Sequence, residues 1–166
     1  MEIKLTQGKV ATVDEINADL ARLLWYCNSN GYAVRRTPGD RGKLEYLHRV
    51  VYERELGRKL EPGEQVDHID RNTVDNRIEN LRLATHAQNC ANVGKRKGTY
   101  SSEYKGVYWN KAKKKWQAQI KVNQKSIHLG YFDLECEAAM EYDWYAKKYF
   151  GEFARLNFPI EEEVCV

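Results

Sequence analysis

The sequence predicts an α+β chain in two parts. The C-terminal part reads as a three-stranded antiparallel sheet packed on one helix, and the core of the N-terminal part runs strand, loop, strand, helix. Three observations carry this. Hydrophobic residues alternate strictly over 115–122 and then recur at helical spacing after 133. An apolar segment carrying adjacent Asp67 and His68 leads through a turn rich in Asp and Asn to a second apolar segment. A Gly-flanked basic stretch, 94–102, has no apolar periodicity and divides the two parts.

Residues 1–60 read as scaffold. Asp14 is expected to cap a helix carrying Ile16, Leu20, Leu23 and Leu24. Segments 31–36 and 43–47 are placed to pair across the Thr37-Pro-Gly-Asp40 turn, and Trp25 is expected in the core. A short helix is predicted from Leu47 to Leu56, closed by Gly57. Val66, Asp67 and His68 then lie on a strand, residues 70–76 form a polar turn, and Leu81-Arg-Leu-Ala84 reads as a second strand. Thr85 and Gln88 fit a capping box, so a helix begins at Thr85 and Asn89 stands about one turn into it.

In the C-terminal part an early strand, 104–110, contains Gly106, which suggests a bulge. Along 115–122, Trp116, Ala118, Ile120 and Val122 share one face, and Lys115, Gln117, Gln119 and Lys121 share the other. The turn 122–125 leads to a third strand with Ile127 and Leu129 inward and Ser126 and His128 outward. Asp133 is expected to cap a helix through Phe150, stopped by Gly151, with Ala138, Tyr142, Tyr145 and Tyr149 on its packed side. Trp109, Trp116, Trp144 and Tyr149 are expected in the core. The other face of the sheet is left free, polar and basic.

The net charge of +3 conceals an uneven distribution. Residues 1–93 carry 14 basic and 14 acidic side chains, whereas residues 94–125 carry ten basic ones against Glu103 alone. A basic block of that density attracts nucleic acid through counterion release. Residues 126–166 are acidic, with three bases against nine acids. The four cysteines lie far apart with no CxxC pair, which gives no support to a disulfide framework and none to a zinc ribbon. No apolar run approaches the roughly 18 residues of a membrane span. Met1-Glu2-Ile3-Lys4 lacks the apolar stretch of a signal peptide, so an intracellular setting is expected.

Asp67, His68 and Asn89 suggest a chemistry. A hard divalent cation takes oxygen ligands and keeps several waters, and Asp67 with the Asn89 amide oxygen supplies two. His68, beside Asp67 on an extended chain, is placed to take a proton from a water attacking a phosphate. In order and spacing, Leu47-His-Arg-Val50, Val66-Asp-His-Ile-Asp70, Asp75-Asn-Arg-Ile-Glu-Asn-Leu81, Thr85, Asn89 and Asn92 resemble the HNH (His-Asn-His) nuclease family, with its ββα-metal core. The resemblance covers 44–93 and is to the phage homing type, whose third letter is here Asn89. It implies His68 as general base, Asn80 fixing the loop and the imidazole, Asp67 and Asn89 on the metal, and a catalytic-site role for His48. The implied metal is magnesium, with manganese as the other candidate.

A second resemblance covers 104–159. Tyr104-Lys-Gly-Val107, Trp116-Gln-Ala-Gln-Ile120, His128-Leu-Gly-Tyr-Phe132, Glu137-Ala-Ala139, Tyr142-Asp143 and Asn157-Phe-Pro159 resemble the plant ethylene-response-factor (apetala-type) DNA-binding domain. The resemblance implies a sheet lying in the major groove, with contacts at Lys105, Tyr108, Asn110, Gln119, Lys121, Ser126 and His128; Lys115, on the same outer face, is expected to bind nucleic acid beside them. Several arginines of the plant pattern are here Lys, Tyr, Asn, Ser or His, which removes the usual reader of guanine.

The expected organisation is a nuclease domain at 1–93 with its ββα core at 65–93, a basic linker at 94–103, a DNA-binding domain at 104–159 and an acidic tail at 160–166. The expected activity is metal-dependent hydrolysis of double-stranded DNA by a homing-type nicking enzyme. It would work as a monomer in the cytoplasm of a bacterial host, encoded by a phage or mobile element, with no membrane and no small-molecule substrate. The alternatives are a DNA-binding regulator whose HNH unit is a non-catalytic scaffold, and an RNA-binding module in which Tyr108 stacks on bases.

Overall fold

The computed structural model describes residues 1–37, 39–40, 42–95 and 98–159. The acidic tail, Pro38 of the 37–40 turn, and Arg96 and Lys97 of the basic linker lie outside the described residues. The chain divides into two compact units, Met1–Asn89 and Cys90–Val166.

In the first unit β1 (Glu2–Lys4) pairs antiparallel with β2 (Val10–Thr12). The strands β3 (Tyr26–Cys27), β4 (Ala33–Arg36) and β5 (Leu44–Tyr46) form an antiparallel sheet in that order. The helix α1 (Leu47–Leu56) follows directly and ends at Gly57, whose φ of 64° supplies the left-handed turn that stops it. The strands β6 (Glu64–His68) and β7 (Leu81–Thr85) pair antiparallel, and α2 (His86–Asn92), whose last three residues belong to the second unit, follows β7. Its start is the expected capping box: Gln88 N donates to Thr85 Oγ1 at 3.3 Å and Thr85 N donates to Gln88 Oε1 at 2.8 Å. Ile3, Leu5, Trp25, Leu47, Val51 and Leu81 share one core with Val66.

The expected helix after Asp14 is a 3₁₀ helix, Glu15–Arg22. With three residues per turn it cannot bring Ile16, Leu20, Leu23 and Leu24 onto one face. Leu20 is buried, whereas Ile16 and Leu24 are 87% and 84% exposed. Asp14 does not cap it; its Oδ2 accepts from Ile78 N at 2.8 Å and ties this segment to the loop before β7.

In the second unit β8 (Val107–Asn110), β9 (Lys115–Val122) and β10 (Lys125–Phe132) form an antiparallel sheet in the order β10-β9-β8. The β9–β10 turn has Asn123 and Gln124 at positive φ, as a two-residue hairpin requires. Strand β8 begins after Gly106, later than expected. Gly106 has φ +79°, and a Cβ there would overlap the Tyr142 ring and lie 2.7 Å from the Gln119 carbonyl oxygen. Helix α3 (Glu135–Phe150) packs on the inner face of the sheet through Ala138, Ala139, Tyr142 and Ala146, whose small side chains allow a close approach.

Four expectations fail here. Asp133 does not cap α3 and instead pairs with Lys115 at 3.0 Å. Trp144 stands two residues from Tyr142, about 200° round the helix, and is 58% exposed. Tyr149 and Trp109 are also exposed, so of the four aromatic side chains expected in the core only Trp116 packs there.

Candidate active site

The antiparallel register of β6 and β7 sets Asp67 opposite Arg82 and His68 opposite Leu81. Arg82 donates to Asp67 Oδ2 from Nε at 3.0 Å and from Nη2 at 2.9 Å, and both side chains are largely buried. The pairing compensates the cost of placing a carboxylate inside the protein. Gln65 and Asp67 are two residues apart on β6 and share a face. Asn89, on α2, donates from Nδ2 to Gln65 Oε1 at 2.8 Å. That bond brings Asn89 to the Asp67 side of the strand and leaves its Oδ1 as the accepting atom.

The loop between β6 and β7 is tied at many points. Asn80 closes its base: its carbonyl accepts from Ile69 N at 2.8 Å, its Oδ1 accepts from Asp70 N at 3.1 Å, and its Nδ2 donates to the Asp75 carbonyl at 3.0 Å. Thr73 Oγ1 donates to the Gly31 carbonyl at 2.9 Å, and Asn76 N to the Thr12 carbonyl at 2.7 Å. The Arg77 guanidinium bonds the Asp75 carboxylate at 2.7 Å and holds it below its ordinary range.

The amide that meets the imidazole of His68 is that of Asn76, a fully buried residue of the polar turn. His68 Nε2 lies 3.2 Å from Asn76 Oδ1, and Asn76 Nδ2 donates to the Val74 carbonyl at 3.0 Å. The second bond fixes which end of the amide faces the ring. Oδ1 can only accept, so Nε2 carries the proton and the basic lone pair is on Nδ1. Asn80 therefore shapes the loop, and Asn76 sets the tautomer.

Around His68 stands a cluster of rings. His48, from the first turn of α1, is edge-on to it with centroids 5.0 Å apart. Tyr32, missed in the sequence, lies 5.2 Å from His48 and 5.8 Å from His68, and Tyr46 lies 5.5 Å from His48. Burial pushes His48 down to about 3, so it is neutral at physiological pH. Its Nδ1 is buried with no hydrogen-bond partner among the described residues. Burial also lowers His68, against the opposing effects of the Asn76 bond and the Asp67, Asp70 and Asp75 charges. A lowered pKa keeps the ring neutral, as a proton acceptor must be.

Among the described residues no group of three or more His, Cys, Asp or Glu side chains is placed to hold a metal ion. Asp67 and Asn89 carry oxygen atoms, the ligand type that a hard divalent cation takes.

In the second unit, β8, β9 and β10 place Tyr108, Asn110, Gln117, Gln119, Lys121, Ser126 and His128 on the outer face of the sheet. Asn110 Nδ2 donates to Gln117 Oε1 at 2.9 Å, Gln117 Nε2 meets His128 Nδ1 at 3.0 Å, and Tyr108 Oη donates to Gln119 Oε1 at 3.3 Å. Lys105 does not belong to this face. It precedes β8, and its Nζ donates to the carbonyls of Ala91 at 2.7 Å and Val93 at 2.6 Å, capping the end of α2. Burial lowers that ammonium to about 8. Lys115 is drawn to Asp133, an exposed pair of little strength.

Comparison with known proteins assigns the class. The HNH endonuclease family model matches residues 45–91, from β5 through α2. An uncharacterized HNH endonuclease of Acanthamoeba polyphaga mimivirus is 36% identical over 138 residues, 83% of this chain and 68% of that protein. Protein 3.8 of Escherichia phage T7 is 31% identical over 115 residues, 69% of this chain and 93% of that protein. The chain belongs to the HNH endonuclease family and is an endonuclease. An ethylene-responsive transcription factor-like protein of Arabidopsis thaliana is 47% identical over 60 residues, 36% of this chain but 24% of that protein. No helix among the described residues is long and apolar enough to cross a membrane.

Proposed function

We propose that this endonuclease is a metal-dependent, homing-type DNA-nicking enzyme that works as a monomer, with the C-terminal sheet holding duplex DNA and the β6–β7–α2 unit hydrolysing a phosphodiester bond. The observation that carries the reading is the Val74–Asn76–His68 chain of hydrogen bonds, which fixes the tautomer of a neutral buried imidazole. In this reading His68 Nδ1 takes the proton of the attacking water. Asn76 holds the ring and stabilises the imidazolium as it forms. Asn80 keeps the loop closed beneath it, and neutral His48 with Tyr32 walls the ring away from solvent.

Asp67 and Asn89 are the residues that would hold a divalent cation, with magnesium the candidate that fits their oxygens. A bound cation supplies charge stabilisation at the phosphate and at the leaving oxygen. One such site per chain gives one cut strand per encounter. Viral relatives agree with a phage or mobile-element setting. The test is relaxation of supercoiled plasmid by the pure protein with magnesium and with EDTA. Open-circular product that forms with magnesium alone supports the reading. Equal cleavage in EDTA contradicts the metal, and DNA binding without cleavage leaves the regulator reading.

A further inference from the structure

We infer that the outer face of the C-terminal sheet selects duplex sites containing adenine–thymine pairs, with Gln119 reading adenine and Tyr131 contacting thymine. The inference rests on the reading that this unit binds duplex DNA and names the class of site it would take.

The first observation is what the face lacks. The sequence has no arginine between Arg96 and Arg155, so no guanidinium fork stands on β8, β9 or β10. Guanine shows two acceptors in the major groove, the pattern a guanidinium matches. Adenine shows one donor and one acceptor, which a side-chain amide matches in a single bidentate contact. The centre of the face consists of two amides, Gln117 and Gln119, on the middle strand.

The two amides have different duties. Gln117 is held at both ends within the face, with its Oε1 accepting from Asn110 and its Nε2 meeting His128 Nδ1. Gln119 accepts one bond from the Tyr108 hydroxyl at 3.3 Å, which orients its amide. An amide oxygen has a second lone pair and the Nε2 group has two donors, so an oriented acceptor–donor pair is left for a base edge. Pre-orientation reduces the entropy lost when the contact forms.

The second observation is a break in strand parity. Alternation from Ile127 and Leu129 would turn Tyr131 inward. The register instead jumps between His128 and Gly130: His128 pairs with Gln119, Gly130 with Ala118, and Tyr131 with Gln117. The bulge brings Tyr131 to the outer face, where it is exposed with its ring 4.6 Å from that of His128. An exposed aromatic ring beside an adenine reader suits the thymine methyl, the one apolar group on a base edge in the major groove.

The dimensions and charge agree. Three strands span about 10 Å, two strand spacings, within the roughly 12 Å of a major groove. Lys111, Lys113 and Lys114 lie in the β8–β9 turn, and Lys121 and Lys125 flank the β9–β10 turn, so the charge for phosphate sits at the ends of the face.

The test is selection of bound sites from a randomised duplex pool by the full chain in EDTA. The expected result is enriched sites with an adenine preference of about tenfold or more at one position. Gln119→Ala should flatten that position while leaving the salt dependence of binding unchanged. Replacing the selected thymidine with deoxyuridine should weaken wild-type binding severalfold and leave Tyr131→Ala indifferent. Enrichment of guanine, or binding with no base preference, overturns this inference while duplex binding stands. No duplex binding at all overturns the functional reading beneath it as well.

Discussion

In the first unit Asp67, His68, Asn76 and Asn80 are all buried, and each is held by the backbone or by another polar group. On the C-terminal sheet Gln117, Gln119, His128 and Tyr131 stay half-buried or exposed, and their bonds run from one side chain to the next. The difference suits the tasks proposed for the two regions. A proton acceptor must keep one tautomer and one orientation, so its polar neighbours are enclosed and cannot move without leaving an unpaired group. A reading surface must stay open to a partner, so its groups orient one another and remain wet. Damage to the first should be steep and to the second graded.

The largest expected effect is at Asp67. Asp67→Ala should abolish cleavage and destabilise the first unit by about 3–5 kcal/mol, because the largely buried Arg82 guanidinium loses the carboxylate that pairs with it. Asp67→Asn should be folded but inactive, measured by plasmid relaxation beside urea unfolding. Asn76→Ala should come next. It removes the acceptor of His68 Nε2, costing about 1–3 kcal/mol of stability and roughly tenfold to a hundredfold in cleavage rate. A larger loss of rate in Asn80→Ala than in Asn76→Ala, at equal stability, would reverse the roles given to the two amides.

His48 sharpens the contrast through pH. Its folded value of about 3 lies below the ordinary 6.5, so between those limits the unfolded chain binds a proton that the folded chain refuses. Stability is therefore complete above pH 6.5 and falls as pH drops toward 3, by at most about 1.4 kcal/mol per pH unit from this residue. His68, also lowered, adds in the same sense. His48→Phe should flatten that acid limb in urea unfolding at pH 7, 5 and 4, and an unchanged slope would remove His48 from the account. The smallest effect belongs to the sheet. Lys121→Ala should weaken duplex binding alike on all sequences and reduce the salt slope by about one.

Much of the nuclease unit is legible in the sequence because its signals are local. Asp67 and His68 are adjacent, the capping box spans four residues, and Gly57 marks the end of α1 by itself. Asn76 and Tyr32 are not legible. Asn76 sits in a turn where asparagine is ordinary, and Tyr32 reaches His68 from the distant segment just before β4. The same limit appears in the second unit. Alternation along β9 gives the faces of Gln117, Gln119, Ala118 and Ile120 directly. The bulge that turns Tyr131 outward leaves no trace in the alternation of its neighbours. Lys105 looks like one more basic side chain near a sheet, and only the fold shows two helix-end carbonyls that need its ammonium.

In the proposed function His68 abstracts the proton, and the hold on DNA lies elsewhere in the chain. This is tested most directly by His68→Ala measured for two properties at once, plasmid cleavage with magnesium and electrophoretic retardation of duplex DNA. Cleavage should fall by about 10²–10⁴-fold, the usual worth of a general base, with retardation unchanged. Cleavage at the wild-type rate, or loss of both properties together in a folded protein, would contradict this reading.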